Sequence, residues 1–189
     1  MQKMNSRNGL ASVSAYGLLI LALLLLVGYS VLYRLDHPGL TVHRHDARSM
    51  EQEDMMAMVG QLMQRLEENP EDITALRGLG RAFMGMEAWS EAQRFWMRLL
   101  ALQPENASAR QQLAMCFFRL GEYRAAAQEL QQVLRIEPDH GYVLFNLGIL
   151  YAYYLQDIAQ GKEYFQQIIE LPEAGAELKR QAREQLEDL

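Results

Sequence analysis

Residues 104–138 read PENASARQQLAMCFFRLGEYRAAAQELQQVLRIEP, a segment that begins and ends with proline. The same 34-residue interval separates Pro70 from Pro104, Pro104 from Pro138, and Pro138 from Pro172. Self-similarity at a fixed period indicates a stack of repeats, because each unit buries its apolar face only against a neighbouring unit. The proline series therefore predicts a repeat domain.

Similar residue types recur at matching positions between the prolines. These segments are Leu79-Gly80 with Phe83, Leu113-Ala114 with Phe117, and Leu147-Gly148 with Tyr151. Two helices approach closely only where neither projects bulk, so Gly80 and Ala92 mark a contact that the large side chain of Trp96 completes. A 34-residue unit of this pattern resembles the tetratricopeptide repeat, a helix-turn-helix unit, and the resemblance implies an all-α solenoid.

The resemblance implies three such repeats with one flanking helix on each side. Apolar residues from Met55 to Leu66 recur at helical spacing, which predicts an amphipathic helix that packs on the first repeat. Residues 173–189 are charged around a narrow apolar stripe, as the last helix of a stack requires. The predicted bounds are residues 72–104, 106–138 and 140–172 for the repeats and residues 51–189 for the whole domain.

The third repeat departs from the pattern of the other two. Its turn, at residues 155–158, has no glycine, and its second helix fits the pattern one residue late, with Gly161 as the small position and Phe165 as the large one. We therefore predict a turn that is one residue longer and a second helix that is one residue shorter before Pro172.

An uncharged stretch precedes the repeats. No charged residue occurs between Asn8 and Tyr33, and residues 15–33 are almost wholly apolar. Because about 20 apolar residues cross a bilayer as a helix, we expect a short N-terminal segment over residues 1–14, a transmembrane anchor over residues 15–33, and a polar tether over residues 34–50. A cleaved signal peptide is the alternative, but no A-x-A site follows the apolar run.

Positive charges stand on both sides of this anchor: Lys3, Arg7 and the α-amino group precede it, and Arg34, Arg44 and Arg48 follow it. Their count leaves the orientation open. An N-terminus this short is commonly kept inside, which favours repeats on the outer side of the membrane.

Charge is distributed unevenly along the chain. Residues 1–49 carry +3, from five Lys/Arg and two Asp, whereas residues 50–189 carry −9, from 13 Lys/Arg and 22 Asp/Glu. An acidic domain repels polyphosphate, so nucleic acid is not expected as a partner. Cys116 is the only cysteine, which excludes an internal disulfide, a four-cysteine zinc site and a CxxC redox pair. Its position on an apolar helix face predicts that it packs in the core.

The sequence contains no catalytic motif. G-x-S-x-G, a glycine-rich phosphate loop, H-E-x-x-H and the haem-attachment motif C-x-x-C-H are all missing. His37, His43 and His45 invite a metal or haem interpretation, but a linker fixes no ligand geometry and offers no further ligands. We therefore expect a binding protein, not an enzyme, that holds no metal or cofactor.

In the tetratricopeptide family, the first helices of successive repeats form a concave surface that binds protein segments. The resemblance places fixed positions of those helices on this surface. The predicted peptide groove is basic where the first repeat contributes and aromatic where the third contributes. Its positions are Thr74, Arg77, Arg81, Met84, Gln111, Gln112, Met115, Phe118, Arg119, Tyr142, Phe145, Asn146, Ile149, Ala152 and Tyr153.

Four rings of this groove have two interpretations. Together they would expose more aromatic surface than a bare scaffold needs, and exposed apolar patches mark interfaces. The four are Phe118, Tyr142, Phe145 and Tyr153. Alternatively, the terminal helix folds back over these rings and makes them part of the core.

Two arginines of the groove also have two interpretations. Arg77 and Arg81 stand four residues apart on one helix face, a spacing that allows both to grip one carboxylate. Together with Asn146 they match part of the family's carboxylate-clamp pattern. Alternatively, both arginines are simply solvated.

The predicted anchor is followed by Leu32-Tyr33-Arg34, Pro38-Gly39-Leu40, Met58–Leu62, Leu66–Asp72 and Leu79–Phe83. This layout resembles the cytochrome c biogenesis factors of the CcmI/CycH/NrfG type. The resemblance implies an inner (cytoplasmic) membrane protein whose repeats face the periplasm. Its client would be the C-terminal region of apocytochrome c, held while a separate membrane haem lyase attaches haem. An amphipathic client helix would lay its apolar face on the four rings and meet Arg77 and Arg81 with its charged end.

Two other functions remain open from the sequence. One is an anchored scaffold for the assembly of another envelope complex, with a folded protein as partner. The other is a haem- or metal-handling protein that uses the three histidines of the tether.

Overall fold

The structure, a computed structural model, describes residues 24–33, 35 and 44–189. Every regular element in these residues is helical, which confirms the predicted all-α class. From residue 44 onward the elements are α1 (Arg44–Glu68), α2 (Ile73–Gly85), α3 (Trp89–Leu102), α4 (Ala107–Arg119), α5 (Tyr123–Ile136), α6 (Gly141–Ile149), a π-helix (Leu150–Tyr154), α7 (Ile158–Glu170) and α8 (Ala176–Asp188).

The chain divides into two compact units, residues 1–52 and 53–189. In the first unit, residues 24–33 form a helix whose side chains are exposed. No helix among the described residues is both long and apolar enough to span a bilayer. The predicted N-terminal segment, residues 1–14, and residues 15–23 of the predicted anchor lie outside the described residues.

Helix α1 begins at Arg44, inside the region expected to be a polar tether. No proline or glycine occurs between Leu40 and Gly60 to interrupt a helix there. The structure therefore differs from the sequence prediction over residues 44–50, which are helical and continuous with the amphipathic segment that follows.

The proline series marks the ends of helices. Pro104, Pro138 and Pro172 each directly follow the C-cap residue of a helix. A proline disfavours helical geometry in the residue before it and provides no N–H group, so it ends the helix there. Two residues after Pro104, the side chain of Asn106 accepts a hydrogen bond from the backbone N–H of Ala109 and starts the next helix.

The two helices of a repeat touch where the sequence places a small residue. A Cβ atom added at Gly80 would lie 2.6 Å from Cε2 of Trp96, and one at Gly148 would lie 2.5 Å from Cε1 of Phe165. Both distances are far inside van der Waals contact. Trp96 is 2% exposed and Phe165 is 0% exposed, so these rings fill the space that the glycines leave.

The core is built from two clusters of buried residues, with one partly buried side chain packed against both. One cluster draws on α1 to α4 and the other on α4 to α8, and Phe117 packs against both. Cys116 lies in the first cluster and is fully buried, as predicted. Burial raises the pKa of the Cys116 thiol to about 11, so the thiol stays protonated and unreactive.

The third repeat accommodates its additional residue within the first helix. Each turn contains one residue with positive φ, at Glu87 (56°), Gly121 (80°) and Gln156 (59°). The first two are 34 residues apart and the last two are 35 apart, whereas the second helix begins two residues after each of them. The π-helix Leu150–Tyr154 takes up the additional residue, because a π-turn holds one residue more than an α-turn. The prediction of a longer turn is therefore wrong. The shorter second helix is confirmed, since α7 has 13 residues whereas α3 and α5 have 14.

The last helix, α8, covers the end of the repeat stack. Leu178 and Ala182 are buried on its inner face, and Leu178 lies against Gly141 of the third repeat. On its exposed face, Arg180 forms ion pairs with Glu177 and Glu184. One face of α8 is thus apolar and buried, while the other is charged and solvated.

We expect the Gly80→Ala substitution to lower the free energy of unfolding by about 1–3 kcal/mol, because the added methyl group collides with the Trp96 ring. Gly60→Ala is the matched control, because an added Cβ atom at Gly60 meets nothing within 4 Å. That control should be neutral or stabilising by up to about 1 kcal/mol. Urea unfolding of the full-length chain, followed by circular dichroism, measures both changes. Equal stability of the two variants would contradict the proposed contact.

A candidate ligand-binding groove

The first helices of the repeats differ in charge from the rest of their domain. Helices α2 and α4 contain two arginines each and no acidic residue. Helix α6 and the π-helix after it carry no charged residue. These helices supply all the predicted groove positions, so the candidate site is basic to neutral within a domain of net charge −9.

A cavity of about 290 Å³ lies among α2, α4, α5 and α6, and we call it the apolar cavity. Methionine, aromatic and aliphatic side chains form most of its wall, and three amide side chains interrupt them. No charged side chain lines it. Its lining residues are Met84, Gln111, Gln112, Ala114, Met115, Phe118, Leu130, Asn146, Ile149 and Leu150.

The apolar cavity brings together many of the groove positions that the sequence predicts, and it adds others. Leu130 of α5 is buried and also forms part of the cavity wall. Ala114 and Leu150, which are buried, also line it. The sequence pattern predicts which helix face is exposed, but it gives no signal that identifies the residues at the base of a cavity.

A second cavity, of about 210 Å³, lies between α2 and the start of α4, and we call it the basic cavity. Arg77 and Arg81 line it one helical turn apart, and both are exposed. Within the part of the chain that the structure describes, neither arginine has an ion pair or hydrogen bond. Sequence reasoning missed its other lining residues, which are Trp96, Asn106, Ser108 and Ala109.

The basic cavity has the chemistry of an oxyanion site. Two guanidinium groups can grip one carboxylate. Ser108 lies in the first turn of α4, where the helix dipole also favours negative charge. Asn146, the third residue of the partial clamp pattern, lies in the apolar cavity instead. The structure therefore does not bring the three predicted clamp residues together.

Arg119, another predicted groove residue, already interacts with other side chains of the protein. Its guanidinium carbon lies 4.4 Å from the centroid of the Trp89 ring, an arrangement that provides a cation–π interaction. The same side chain lies 3.7 Å from the carboxylate of Glu87. Arg119 thus links the second repeat to the turn of the first.

The four aromatic residues of the predicted groove do not pack on one another. Phe145 contacts Phe165 edge-on, with a centroid separation of 5.5 Å, and belongs to the margin of the core. Phe118 packs against Tyr154 at 4.9 Å and against Tyr123 at 5.6 Å.

The other two aromatic residues are more exposed. Tyr142 is 68% exposed and Tyr153 is 48% exposed. The terminal helix reaches Tyr153 through one hydrogen bond, in which the Tyr153 hydroxyl donates to Oε1 of Gln185 at 2.9 Å. Phe145 packs against a ring of α7.

The remaining predicted positions lie outside both cavities. Thr74 is exposed on α2. Ala152 is 7% exposed, and Gly161 of α7 lies against it. Neither residue lines the apolar or the basic cavity.

The described residues contain no group of three or more His, Cys, Asp or Glu side chains arranged to hold a metal ion. The side chains of His37, His43 and His45 lie outside the described part of the chain. The haem or metal interpretation of these histidines therefore stays a prediction.

Comparison with known families and curated proteins adds to this geometry. Tetratricopeptide repeat models match residues 97–144 and residues 142–173. Trafficking protein particle complex subunit 12 from Homo sapiens is 29% identical over 96 residues, which cover 49% of this chain and 13% of that protein. The chain thus spans only a small part of the length of this curated relative.

Solved structures share the fold at low sequence identity. A tetratricopeptide repeat protein from Parabacteroides merdae superposes with a TM-score of 0.64 at 22% identity, over 73% of this chain and 54% of that one. MamA from Desulfovibrio magneticus RS-1 superposes with a TM-score of 0.59 at 16% identity, over 67% of this chain and 71% of that one. These similarities concern the arrangement of helices.

We expect the rings of the third repeat to differ in their effect on stability. Phe145→Ala should lower the free energy of unfolding by about 2–4 kcal/mol, because it removes a ring that packs on the core. Tyr142→Ala should change it by less than about 0.5 kcal/mol, because the ring is largely in water. Urea unfolding of both variants of the full-length chain measures this difference. A Phe145→Ala variant as stable as Tyr142→Ala would place Phe145 outside the core.

Proposed function

Since the chain is a tetratricopeptide repeat protein with a protein-binding module, we propose that its groove holds an acidic, amphipathic segment of a client protein. The observation that carries this proposal is the pairing of two cavities that are lined mainly by the first helices of the repeats, which lack acidic residues. The apolar cavity would bury an apolar side chain, and the basic cavity would bind a carboxylate. A repeat domain of this kind is typically a scaffold and not an enzyme, so no bond is made or broken in this function.

Our more specific proposal is that the client is the C-terminal region of an apocytochrome c. The support is the layout of the chain, which resembles the cytochrome c biogenesis factors in its apolar N-terminal run and in the segments before the first repeat. In this role the protein would hold its client while a membrane haem lyase attaches haem. Anchoring would raise the local concentration of client beside the lyase.

The proposed location is the inner membrane, with residues 15–33 as a single-pass anchor and the repeats in the periplasm. Support comes from the uncharged run between Asn8 and Tyr33. The described residues 24–33 add to it, because they form a helix whose apolar side chains, such as Leu24 (64%), Leu26 (67%) and Leu32 (66%), are exposed. A bilayer would cover this apolar surface.

We expect binding of apocytochrome c C-terminal peptides to depend on the basic cavity. Arg81→Ala should weaken binding by more than about 1 kcal/mol, because it removes one of two cations that face the client's carboxylate. Arg94→Ala is the matched control, because Arg94 is an exposed arginine on α3 outside both cavities. Isothermal titration calorimetry of the full-length chain measures both. Equal weakening by the two substitutions, or no saturable binding by the wild type, would remove the proposed client.

We also expect a C-terminal alkaline phosphatase fusion, expressed in a Gram-negative bacterium, to be active. This reporter folds only in an oxidising compartment outside the cytoplasm, so its activity would place the repeats in the periplasm. A fusion without residues 1–33 is the control and should be inactive. An inactive full-length fusion, with an active cytoplasmic reporter at the same site, would reverse the proposed orientation.

A second candidate function is a scaffold in a larger assembly. The curated relative that supports it is itself named as a subunit of a multi-protein complex. In that case a folded partner would cover the repeats, and the isolated peptides of the calorimetric experiment would not bind. Co-purification of a stoichiometric folded partner with the full-length chain would favour this function.

A further inference from the structure

Helix α1 has a second stripe of residues beside the one that packs on the first repeat. The packed stripe includes Val59 and Leu66, which are buried in the core. The second stripe is exposed, and its residues follow one another at alternating intervals of three and four. This alternation is the spacing with which one helix presents a seam to a second helix. We call it the outer stripe, and its members are Glu53, Met56, Gly60, Met63 and Glu67.

The centre of the outer stripe is apolar and open to solvent. Met56 is 56% exposed and Met63 is 40% exposed. Between them, a Cβ atom added at Gly60 would meet no atom of the described chain within 4 Å. Methionine side chains are flexible and adapt to partners of different shape. The two methionines and the glycine therefore form a shallow recess with adaptable walls.

Packing within the domain does not explain Gly60. A Cβ atom added at Gly78 would lie 2.8 Å from Leu62. One added at Gly80 would collide with Trp96, so both of these glycines permit contacts inside the domain. Gly60 permits no such contact among the described residues. A glycine in the interior of a helix lowers helix stability, but it allows another backbone to approach closely. Gly60 is thus suited to contact with a helix from outside the domain.

Acidic side chains stand at both ends of the outer stripe. Glu53 and Glu67 are exposed, and the helix places them about 21 Å apart along its axis. Within the part of the chain that the structure describes, neither carboxylate has an ion pair or hydrogen bond. Arg65 of the same helix is instead paired with Asp72, at 2.7 Å. The outer stripe is therefore an apolar centre between two uncompensated negative charges.

These charges decide which occupant fits the outer stripe. A second copy of the chain does not fit, because a parallel pair of outer stripes places each glutamate beside its own counterpart. An antiparallel pair places Glu53 beside Glu67, so like charges meet in both arrangements. The same charges oppose docking on an anionic membrane surface. The complementary occupant is an amphipathic helix of another protein, with apolar residues in its middle and a basic residue at each end.

We infer that the outer stripe of α1 docks such a helix of a partner protein, whose two basic residues have the 14-residue spacing of Glu53 and Glu67. A large aliphatic side chain of that helix enters the recess at Gly60, and Met56 and Met63 pack on either side of it. No residue of α1 lines the apolar or the basic cavity. This surface is therefore separate from the groove of the proposed function, and the inference does not rest on that function.

Two fluorescein-labelled, side-chain-stapled helical peptides test the charge of the occupant. The basic probe has lysine at its positions 1 and 15, leucine at position 8, and alanine at positions 4 and 11. The acidic probe has glutamate in place of both lysines. Fluorescence anisotropy with the full-length chain measures the affinity for both. We expect saturable binding of the basic probe, at least about tenfold tighter than that of the acidic probe, because like charges across an interface oppose association.

Substitution of Gly60 separates docking from stability. Gly60→Gln should weaken binding of the basic probe by at least about tenfold, because the new side chain fills the recess. Urea unfolding should show no loss of stability in this variant, since glutamine favours a helix more than glycine does. Met58→Gln is the matched control, because Met58 is exposed but lies on the opposite side of α1. This control should bind the probe as the wild type does.

A second pair of variants tests the acidic ends of the outer stripe. Glu67→Lys should weaken binding of the basic probe by at least about threefold, because it replaces an attraction with a repulsion. Glu68→Lys is the matched control. It makes the same change in net charge, but Glu68 lies about 100° around the helix from Glu67. A variant with both Glu53→Lys and Glu67→Lys should prefer the acidic probe.

Three other results would overturn the inference. Equal affinity for the two probes, or equal weakening by Glu67→Lys and Glu68→Lys, would show non-specific attraction only. Absence of saturable binding of the basic probe up to about 1 mM would remove the docking surface and leave the proposed groove unaffected. A dimer found by sedimentation analysis, and dissociated by Gly60→Gln, would show that a second copy of the chain occupies the outer stripe.

Discussion

The close contact between the two helices of a repeat, seen in the first and third repeats, sets how those helices pack. At Gly80 the helix backbone lies so near the Trp96 ring that a single methyl group has no space. The same contact recurs in the third repeat between Gly148 and Phe165. Trp96 has a second role, because its ring also lines the basic cavity. Core packing and the shape of the basic cavity therefore both depend on Trp96. A substitution that disturbs the packing of this ring also changes the shape of the cavity.

Much of the fold could be predicted from the sequence, because its rules are repeated along the chain. Prolines after helix ends and small residues at helix contacts recur every 34 residues, so each repeat supports the interpretation of the others. The position of the additional residue in the third repeat could not be predicted in this way. The sequence shows that one residue is inserted, but the choice between turn and helix depends on packing. In the structure, Tyr154 of the π-helix packs against Phe118 and Tyr123 of the preceding repeat, which favours the insertion within the helix.

The candidate site could be predicted only in part, because helical periodicity identifies a face and not the neighbours of each side chain. Arg77 and Arg81 share a face in the sequence and share a cavity in the structure. Phe145 occupies a groove position by its spacing, yet its ring packs on Phe165 from another helix. Leu130 and Ser108 lie at the two cavities only because helices that are separate in sequence pack together. Such contacts between segments distant in sequence follow from the fold and not from the local pattern.

The two faces of α8 have a consequence for self-association. A repeat stack with an uncovered apolar end would accept another repeat, including one from a second copy of the chain, and copies joined in this head-to-tail manner would grow into filaments. Leu178 and Ala182 take the place of that next repeat. The outward ion pairs of Arg180 with Glu177 and Glu184 present a hydrated surface on which no further repeat gains by docking. The charged outer face of α8 thus disfavours head-to-tail association on that side of the third repeat.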